Sequence, residues 1–170
     1  WRNRFDKNYY YGIFGNAYVD LKPIQDLVIH SSFGIDYSAG TSRDLTQVTY
    51  EHSLNTAPPN TLYWSMDNGL SWTFTNTANY SKKLGLHEFK LLLGTEAIHY
   101  YYQNISATRT NILIDNDENY LVPDAGTGSQ SNSGSFSRNM LFSLIGRFDY
   151  SFAGKYLFNA TLRRDGSSKF

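Results

Sequence analysis

Apolar side chains recur at every second position along six separate stretches of this chain, and no other feature constrains its fold so strongly. A period of two places alternate residues on opposite faces of an extended strand; a helix would need a period near 3.6. From Tyr11 the odd positions read Tyr11, Ile13, Gly15, Ala17, Val19 and Leu21, with Gly12, Phe14, Asn16, Tyr18, Asp20 and Lys22 between them. After a turn at Lys22 to Asp26, a second run puts Leu27, Ile29, Phe33, Ile35, Tyr37 and Ala39 on one face. His30, Ser32, Asp36 and Ser38 fall on the other. The third run sets Leu70, Trp72, Phe74, Ala78 and Tyr80 against serine, threonine and asparagine. The fourth sets Phe89, Leu91, Leu93 and Ala97 against Glu88, Lys90, Gly94 and Glu96. Phe142, Leu144, Phe148, Tyr150 and Phe152 oppose Ser143, Arg147, Asp149 and Ser151 in the fifth. In the sixth, Tyr156, Phe158, Ala160 and Leu162 oppose Asn159, Thr161 and Arg163. Three residues break the pattern: Asn76 on an apolar face, and Leu92 and Ile98 on a polar one.

The connections alternate in kind. Tight turns are expected at Lys22 to Asp26, at Lys82 to Leu86 around Gly85, and at Ala153-Gly154. Long segments are expected from Thr41 to Gly69 and from Asn104 to Ser137. The second contains Gly126 to Ser135, a Gly/Ser-rich run with no side chains to pack a core, and should be mobile. Loops of that length are uncommon in compact soluble domains. Outer-membrane barrels, by contrast, alternate short periplasmic turns with long external loops, on tilted strands of about 9–11 residues. The apolar runs here reach or approach that length, whereas soluble strands average about 5–6 residues. The expected fold is therefore all-β: an antiparallel transmembrane β-barrel segment of about six long meander strands. Six strands alone would leave two long unpaired edges, so residues 1–170 are expected to be part of a larger barrel.

Composition narrows the function classes. Tyr, Phe and Trp make up 16% of the chain, which suits a surface partly wet and partly apolar. Fifteen basic residues balance fifteen acidic ones, which argues against a nucleic-acid partner. The chain has no cysteine. It opens on Trp1-Arg2-Asn3-Arg4 with no apolar stretch behind, so no secretory leader is expected there. No apolar run approaches the length of a membrane-spanning helix, a test that is silent on strands.

Particular residues carry a family resemblance. The run through Gly146-Arg147, Lys155-Tyr156 and Ala160-Thr161-Leu162-Arg163-Arg164-Asp165-Gly166-Ser167-Ser168-Lys169-Phe170 resembles a barrel hairpin of the SusC/RagA family, the TonB-linked outer-membrane transporters of Bacteroidetes. Asn16 to Ile24, with Ser32-Phe33-Gly34-Ile35-Asp36 after the turn, is similar to an earlier hairpin of that family. Trp72 to Ser81 and Leu92-Leu93-Gly94-Thr95-Glu96 resemble the next. The resemblance is weakest in the two long connections. It implies a barrel of about 22 strands filled by an N-terminal plug, with the plug and the remaining strands absent from this chain. It also implies import of oligosaccharides or peptides with a SusD-like lipoprotein, driven through TonB by way of N-terminal parts that this chain lacks.

On the barrel reading, Ile13, Val19, Ile29, Phe33, Ile35, Trp72, Phe74, Leu91, Leu93, Leu144, Phe148, Tyr150, Phe158 and Leu162 are expected to face lipid, with Tyr100 to Tyr102 in an interfacial aromatic girdle. Tyr63, Trp64, Asp67 and Asn68, with Tyr50 and His52, are candidate ligand-binding residues on the first long loop: aromatic faces stack, amides and carboxylates orient. A loop mini-core or lid contact would use the same residue types. Asp115 to Asn119 offers oxygens at alternate positions but lacks the glycine and distal glutamate of a calcium loop, so a solvated acidic loop is expected there. His30, His52, His87 and His99 have no zinc-ligand spacing. Glu88 with Glu96, or Asp20 with Asp36, could pair for glycoside hydrolysis only if burial raised one pKa, and strands facing a wet lumen offer no such burial. Neither a catalytic centre, a metal nor a cofactor is expected. The competing reading is a soluble all-β carbohydrate-binding sandwich, which would bury Trp72, Phe89, Leu91 and Phe148 in a dry core.

Overall fold

The computed structural model describes residues 5–48 and 59–169. Six strands, β1 (Lys7–Ile24), β2 (Leu27–Thr46), β3 (Thr61–Leu84), β4 (His87–Thr110), β5 (Gln130–Phe152) and β6 (Tyr156–Ser167), form one antiparallel sheet in sequence order. Each strand pairs with its chain neighbour, and no crossover disturbs the order.

The turns follow from backbone chemistry. Two residues, Gly85 and Leu86, connect β3 to β4, and Gly85 takes a φ of +59°, which glycine adopts without a Cβ clash. Between β5 and β6, Ala153 and Gly154 both have positive φ, and the Lys155 N–H donates to the Phe152 carbonyl at 3.0 Å. Those are the features of a type I′ turn, whose twist suits a hairpin. Ala153 bears a Cβ in this left-handed region and is therefore strained. Neighbouring turns are tied together. The Ala153 N–H donates to the Leu86 carbonyl at 2.7 Å, the Ser81 N–H to the Asp26 carbonyl at 2.9 Å, and Lys82 pairs with the Asp26 carboxylate.

The strands run further than the apolar alternation indicated. Residues 41–46, 61–69, 104–110 and 130–137 belong to strands, so the long connections shrink to 47–60 and 111–129. Pro23 also lies inside β1, one residue short of its end at Ile24. Nor is the Gly/Ser-rich run loose. The Thr127 and Gly128 N–H groups donate to the Asn111 and Thr110 carbonyls, both at 3.0 Å, and Gln130 onward is β5. Main-chain pairing supplies the order that its small side chains lack.

Contacts divide the chain into two units. The first comprises Trp1–Gly12, Ser38–Gly69 and Tyr102–Ser137, and the second Ile13–Tyr37, Leu70–Tyr101 and Arg138–Phe170. The buried apolar side chains among the described residues, Leu45, Leu62, Ile112 and Leu121, all lie in the first unit, with Phe5 packed against them. Asn60 is buried beside them and organises the segment that follows β4. Its side chain donates to the Ile112 carbonyl at 2.9 Å and accepts from the Ile112 N–H at 2.7 Å, while its own carbonyl accepts from the Asn111 N–H. In the second unit the sheet carries large apolar side chains in the open: Leu93 is 54% exposed, Phe158 58% and Leu162 77%.

Candidate functional site: a sheet with one apolar and one charged face

In the second unit the alternation resolves into two chemically distinct faces. Phe33 stacks on Trp72, Trp72 stacks on His99 with ring centroids 5.6 Å apart, and Phe89 meets Tyr150 at 5.1 Å. Register then places Tyr150 opposite Phe158, Phe148 opposite Ala160 and Gly146 opposite Leu162. Of the fourteen residues expected to face lipid, Ile13, Val19, Phe33, Ile35, Phe74, Leu91, Leu93, Leu144, Phe148, Phe158 and Leu162 are exposed. Ile29, Trp72 and Tyr150 are half-buried by neighbours in the sheet. Among the described residues no second sheet covers this face, whereas a sandwich would bury Trp72, Phe89, Leu91 and Phe148 beneath one.

Polar interruptions on this face are handled locally. Asn76 accepts a hydrogen bond from the Ser31 hydroxyl at 2.8 Å. His87, next to the β3–β4 turn, shares a 2.8 Å hydrogen bond with the Tyr150 hydroxyl and packs against Phe89 and Phe152. His99 keeps a buried Nδ1 without a hydrogen-bond partner beneath its stack on Trp72.

The opposite face is a ladder of neutralised charge. Arg163 bonds Asp165 at 2.8 Å, reaches Glu96 at 3.3 Å and donates to the buried Ser143 hydroxyl at 3.1 Å. Arg147 grips Asp149 at 2.8 Å, Lys90 pairs with Glu88 at 3.0 Å, and His30 meets Asp20 at 2.7 Å with Tyr18 stacked alongside. Glu88, Lys90, Arg147, Asp149, Ser151 and Asn159 line a depression of about 520 Å³. Exposed pairs of this kind fix side-chain orientation more than they stabilise the fold. What they offer chemically is a wet surface of paired donors and acceptors. Glu88 and Glu96 are each matched to a cation, and Asp20 to a histidine, so the carboxylates act here as ion-pair partners.

Sequence reasoning placed these residues on the polar face without seeing the ladder. The signal was present: Glu88 with Lys90, Arg147 with Asp149 and Arg163 with Asp165 set opposite charges two residues apart, which puts both on one face of a strand.

The ligand-binding candidates fare differently. Tyr63, Trp64, Asp67 and Asn68 lie on β3, not on a loop. Alternation sends Tyr63 and Asp67 to one face and Trp64 and Asn68 to the other, so the four do not converge. Arg43 lies 5.9 Å above the Trp64 ring, whose Nε1 is buried without a partner. The Asp67 carboxylate fills the space over Gly40: a Cβ there would come within 2.6 Å of Oδ1. Tyr50 and His52 lie outside the described residues. Tyr100 to Tyr102 sit within β4.

The acidic segment is tied down. Glu118 accepts from Lys7 and, at 2.5 Å, from Arg43; the Lys7 bond first and the Arg43 bond second hold its carboxyl below the ordinary carboxylate range. Asp117 caps the short 3₁₀ turn Glu118–Tyr120 by accepting from the Asn119 N–H at 3.0 Å, and Asp115 accepts from Asn60 at 2.9 Å. The carboxylates of Asp115, Asp117 and Glu118 thus serve in structural bonds.

Comparison with known proteins agrees with the geometry. No family model matches the chain. The TonB-dependent receptor SusC of Bacteroides thetaiotaomicron is 28% identical over 162 residues, 92% of this chain and 15% of the relative. TonB-dependent receptor P3 of Formosa agariphila is 32% identical over 99 residues, 56% of this chain and 9% of the relative. Receptor P26 of the same organism is 25% identical over 173 residues, 92% of this chain and 16% of the relative. Among solved structures, that of the RagAB peptide transporter superposes with a TM-score of 0.86 at 20% identity, covering 98% of this chain and 18% of its counterpart. The chain therefore spans less than one-fifth of the length of the proteins it matches. By sequence similarity and by fold, the chain is a SusC/RagA-like β-barrel segment.

Proposed function

We propose that this chain is part of the barrel wall of an outer-membrane TonB-dependent importer, with its apolar face against lipid and its charged face toward the lumen. One observation carries the reading: a single sheet whose apolar face has no protein cover is backed by a face of matched charges. In water such a face would drive aggregation, whereas in a bilayer it meets acyl chains. The strands contribute wall and carry no catalytic group.

The relatives point to the rest of the activity: a TonB-dependent receptor and a peptide transporter. On this reading the whole protein imports oligosaccharides or peptides under a SusD-like lipoprotein, with its plug and TonB contact outside this chain. The segment 111–129 presents Leu113 and Tyr120 to solvent, which suits contact with a lid.

Fractionation tests the reading. The full-length protein is expected in the outer-membrane fraction, extracted only by detergent, and loss of its gene should abolish uptake of an oligosaccharide or peptide class. Recovery as a water-soluble protein would overturn it.

A further inference from the structure

The geometry points to a conformational device in the first unit: residues 112–126 form a flap, hinged at Thr110 and Asn111 and clasped at Glu118, that lifts off β1–β3 as one block. All the residues involved lie within that unit, so the inference stands apart from the membrane reading.

The segment is bonded to itself. Ile112 bridges to Gly126, and the Leu113 N–H donates to the Ala125 carbonyl at 3.4 Å. Between these lie two 3₁₀ turns: the Leu121 N–H donates to the Glu118 carbonyl at 3.2 Å, and the Ala125 N–H to the Val122 carbonyl at 3.0 Å. A stretch whose main chain is satisfied internally opens and closes as a unit.

Both ends leave the sheet at one point. The Thr127 N–H donates to the Asn111 carbonyl and the Gly128 N–H to the Thr110 carbonyl, both at 3.0 Å, and the Thr110 N–H donates to the Ser129 carbonyl at 3.1 Å. The two stretches pass so close there that a Cβ at Gly128 would come within 2.2 Å of the Thr110 hydroxyl. Asn111 turns the chain out of β4 at a φ of +61°, a conformation that asparagine tolerates better than most residues. Ends fixed side by side, with the body between them bonded to itself, are the layout of a hinge.

Away from the hinge, side chains hold the flap down. Leu121 is buried against Leu45 and Leu62, Asp115 accepts from the Asn60 amide at 2.9 Å, and Glu118 accepts from Lys7 of β1 and Arg43 of β2. Arg43 also lies 5.9 Å above the Trp64 ring, whose buried Nε1 has no hydrogen-bond partner among the described residues. Trp64 sits on β3 with a strand on either side, so no chain beyond β1 or β6 reaches that buried atom. A buried donor left unpaired is a cost of the closed state, removed once water reaches it. The clasp itself is an exposed ion pair, with the Glu118 side chain 40% exposed, and salt screens such pairs. The flap is therefore closed by a contact that solvent conditions weaken, over a donor that opening satisfies.

Maleimide labelling of the full-length protein carrying Leu62→Cys, in neutral detergent and read peptide by peptide, tests the flap, since Leu62 is wholly buried while the flap is down. Labelling should rise about fivefold on going to about 1 M salt, where charges are screened within about 3 Å, and by a similar factor with Glu118→Gln. Ser143→Cys, wholly buried in the second unit, should stay protected under both changes. In the unmutated protein, salt should quicken amide exchange over 112–126 as one block and leave the Thr110 amide slow. Labelling of Leu62→Cys that is indifferent to salt and to Glu118→Gln would overturn the clasp. Equal gains in labelling of Ser143→Cys, or exchange that quickens only at scattered residues of 112–126, would overturn the hinged block.

Discussion

The Ser31 hydroxyl donates to the Asn76 side-chain carbonyl at 2.8 Å across the apolar face, so the one amide that interrupts the apolar alternation of β3 is answered by the neighbouring strand. A polar group left unmatched in hydrocarbon costs free energy, whereas a matched one costs little.

Ser31→Ala should therefore destabilise the protein by about 1–3 kcal/mol by stranding the amide. The double variant Ser31→Ala with Asn76→Val should recover most of that loss, because both polar partners go together. Urea unfolding into lipid vesicles, followed by tryptophan fluorescence, measures both. Equal destabilisation by the single and double variants would show that the hydrogen bond is not the cause.

The two faces should respond oppositely to charge. Leu91→Arg or Phe148→Arg is expected to cost about 2–4 kcal/mol near the bilayer midplane. Ser71→Arg, on the polar side of β3, should change stability little. Yield in the outer membrane and heat-resistant migration of the folded barrel report the difference; similar losses at Leu91 and Ser71 would contradict the assignment of faces.

Glu118 should make the first unit acid-sensitive. Its carboxyl is held below the ordinary value of 4.5 chiefly by the Lys7 hydrogen bond and then by Arg43. A depressed folded pKa means the bonds contribute fully above the unfolded value and are lost as pH falls through the folded one. Amide protection across 111–129, relative to the intrinsic exchange rate at each pH, should thus be high at neutral pH and fall as the pH drops below 4.5. Glu118→Gln should show the lower protection already at neutral pH and flatten the pH dependence.

The hairpin turns predict opposite signs for two small changes. Gly85→Ala adds a Cβ at a φ of +59° and should destabilise by about 1 kcal/mol. Ala153→Gly removes a Cβ at +53° and should be neutral to stabilising by about 0.5–1 kcal/mol. Chemical denaturation midpoints of the two variants, measured side by side, test the pair.

Much of the wall was legible because side-chain direction in a strand is a local property. Alternation alone assigned Leu91 and Phe148 to one side and Glu88 and Arg147 to the other, and glycine marked the turns at Gly85 and Gly154. The strand segments beyond the apolar band are not legible as strands, for the converse reason. Thr61 to Gly69 and Gln130 to Ser135 carry no apolar alternation, yet a partner strand satisfies their N–H and C=O groups and extends them. Tyr63, Trp64, Asp67 and Asn68 consequently moved from one hypothetical loop site to two faces of β3.

By itself, then, the sequence determined the all-β class, the order of the hairpins and which residues share a face, since a period of two and turn-compatible residues are written into consecutive positions. Only the tertiary structure decided what lies across from what. The Ser31–Asn76 bond spans 45 residues, the Asn60 grip on Ile112 spans 52, and the Lys7–Glu118 pair spans 111. Such partners are set by strand register and chain return, and these depend on backbone hydrogen bonds and packing summed over whole strands, not on any local stretch of sequence.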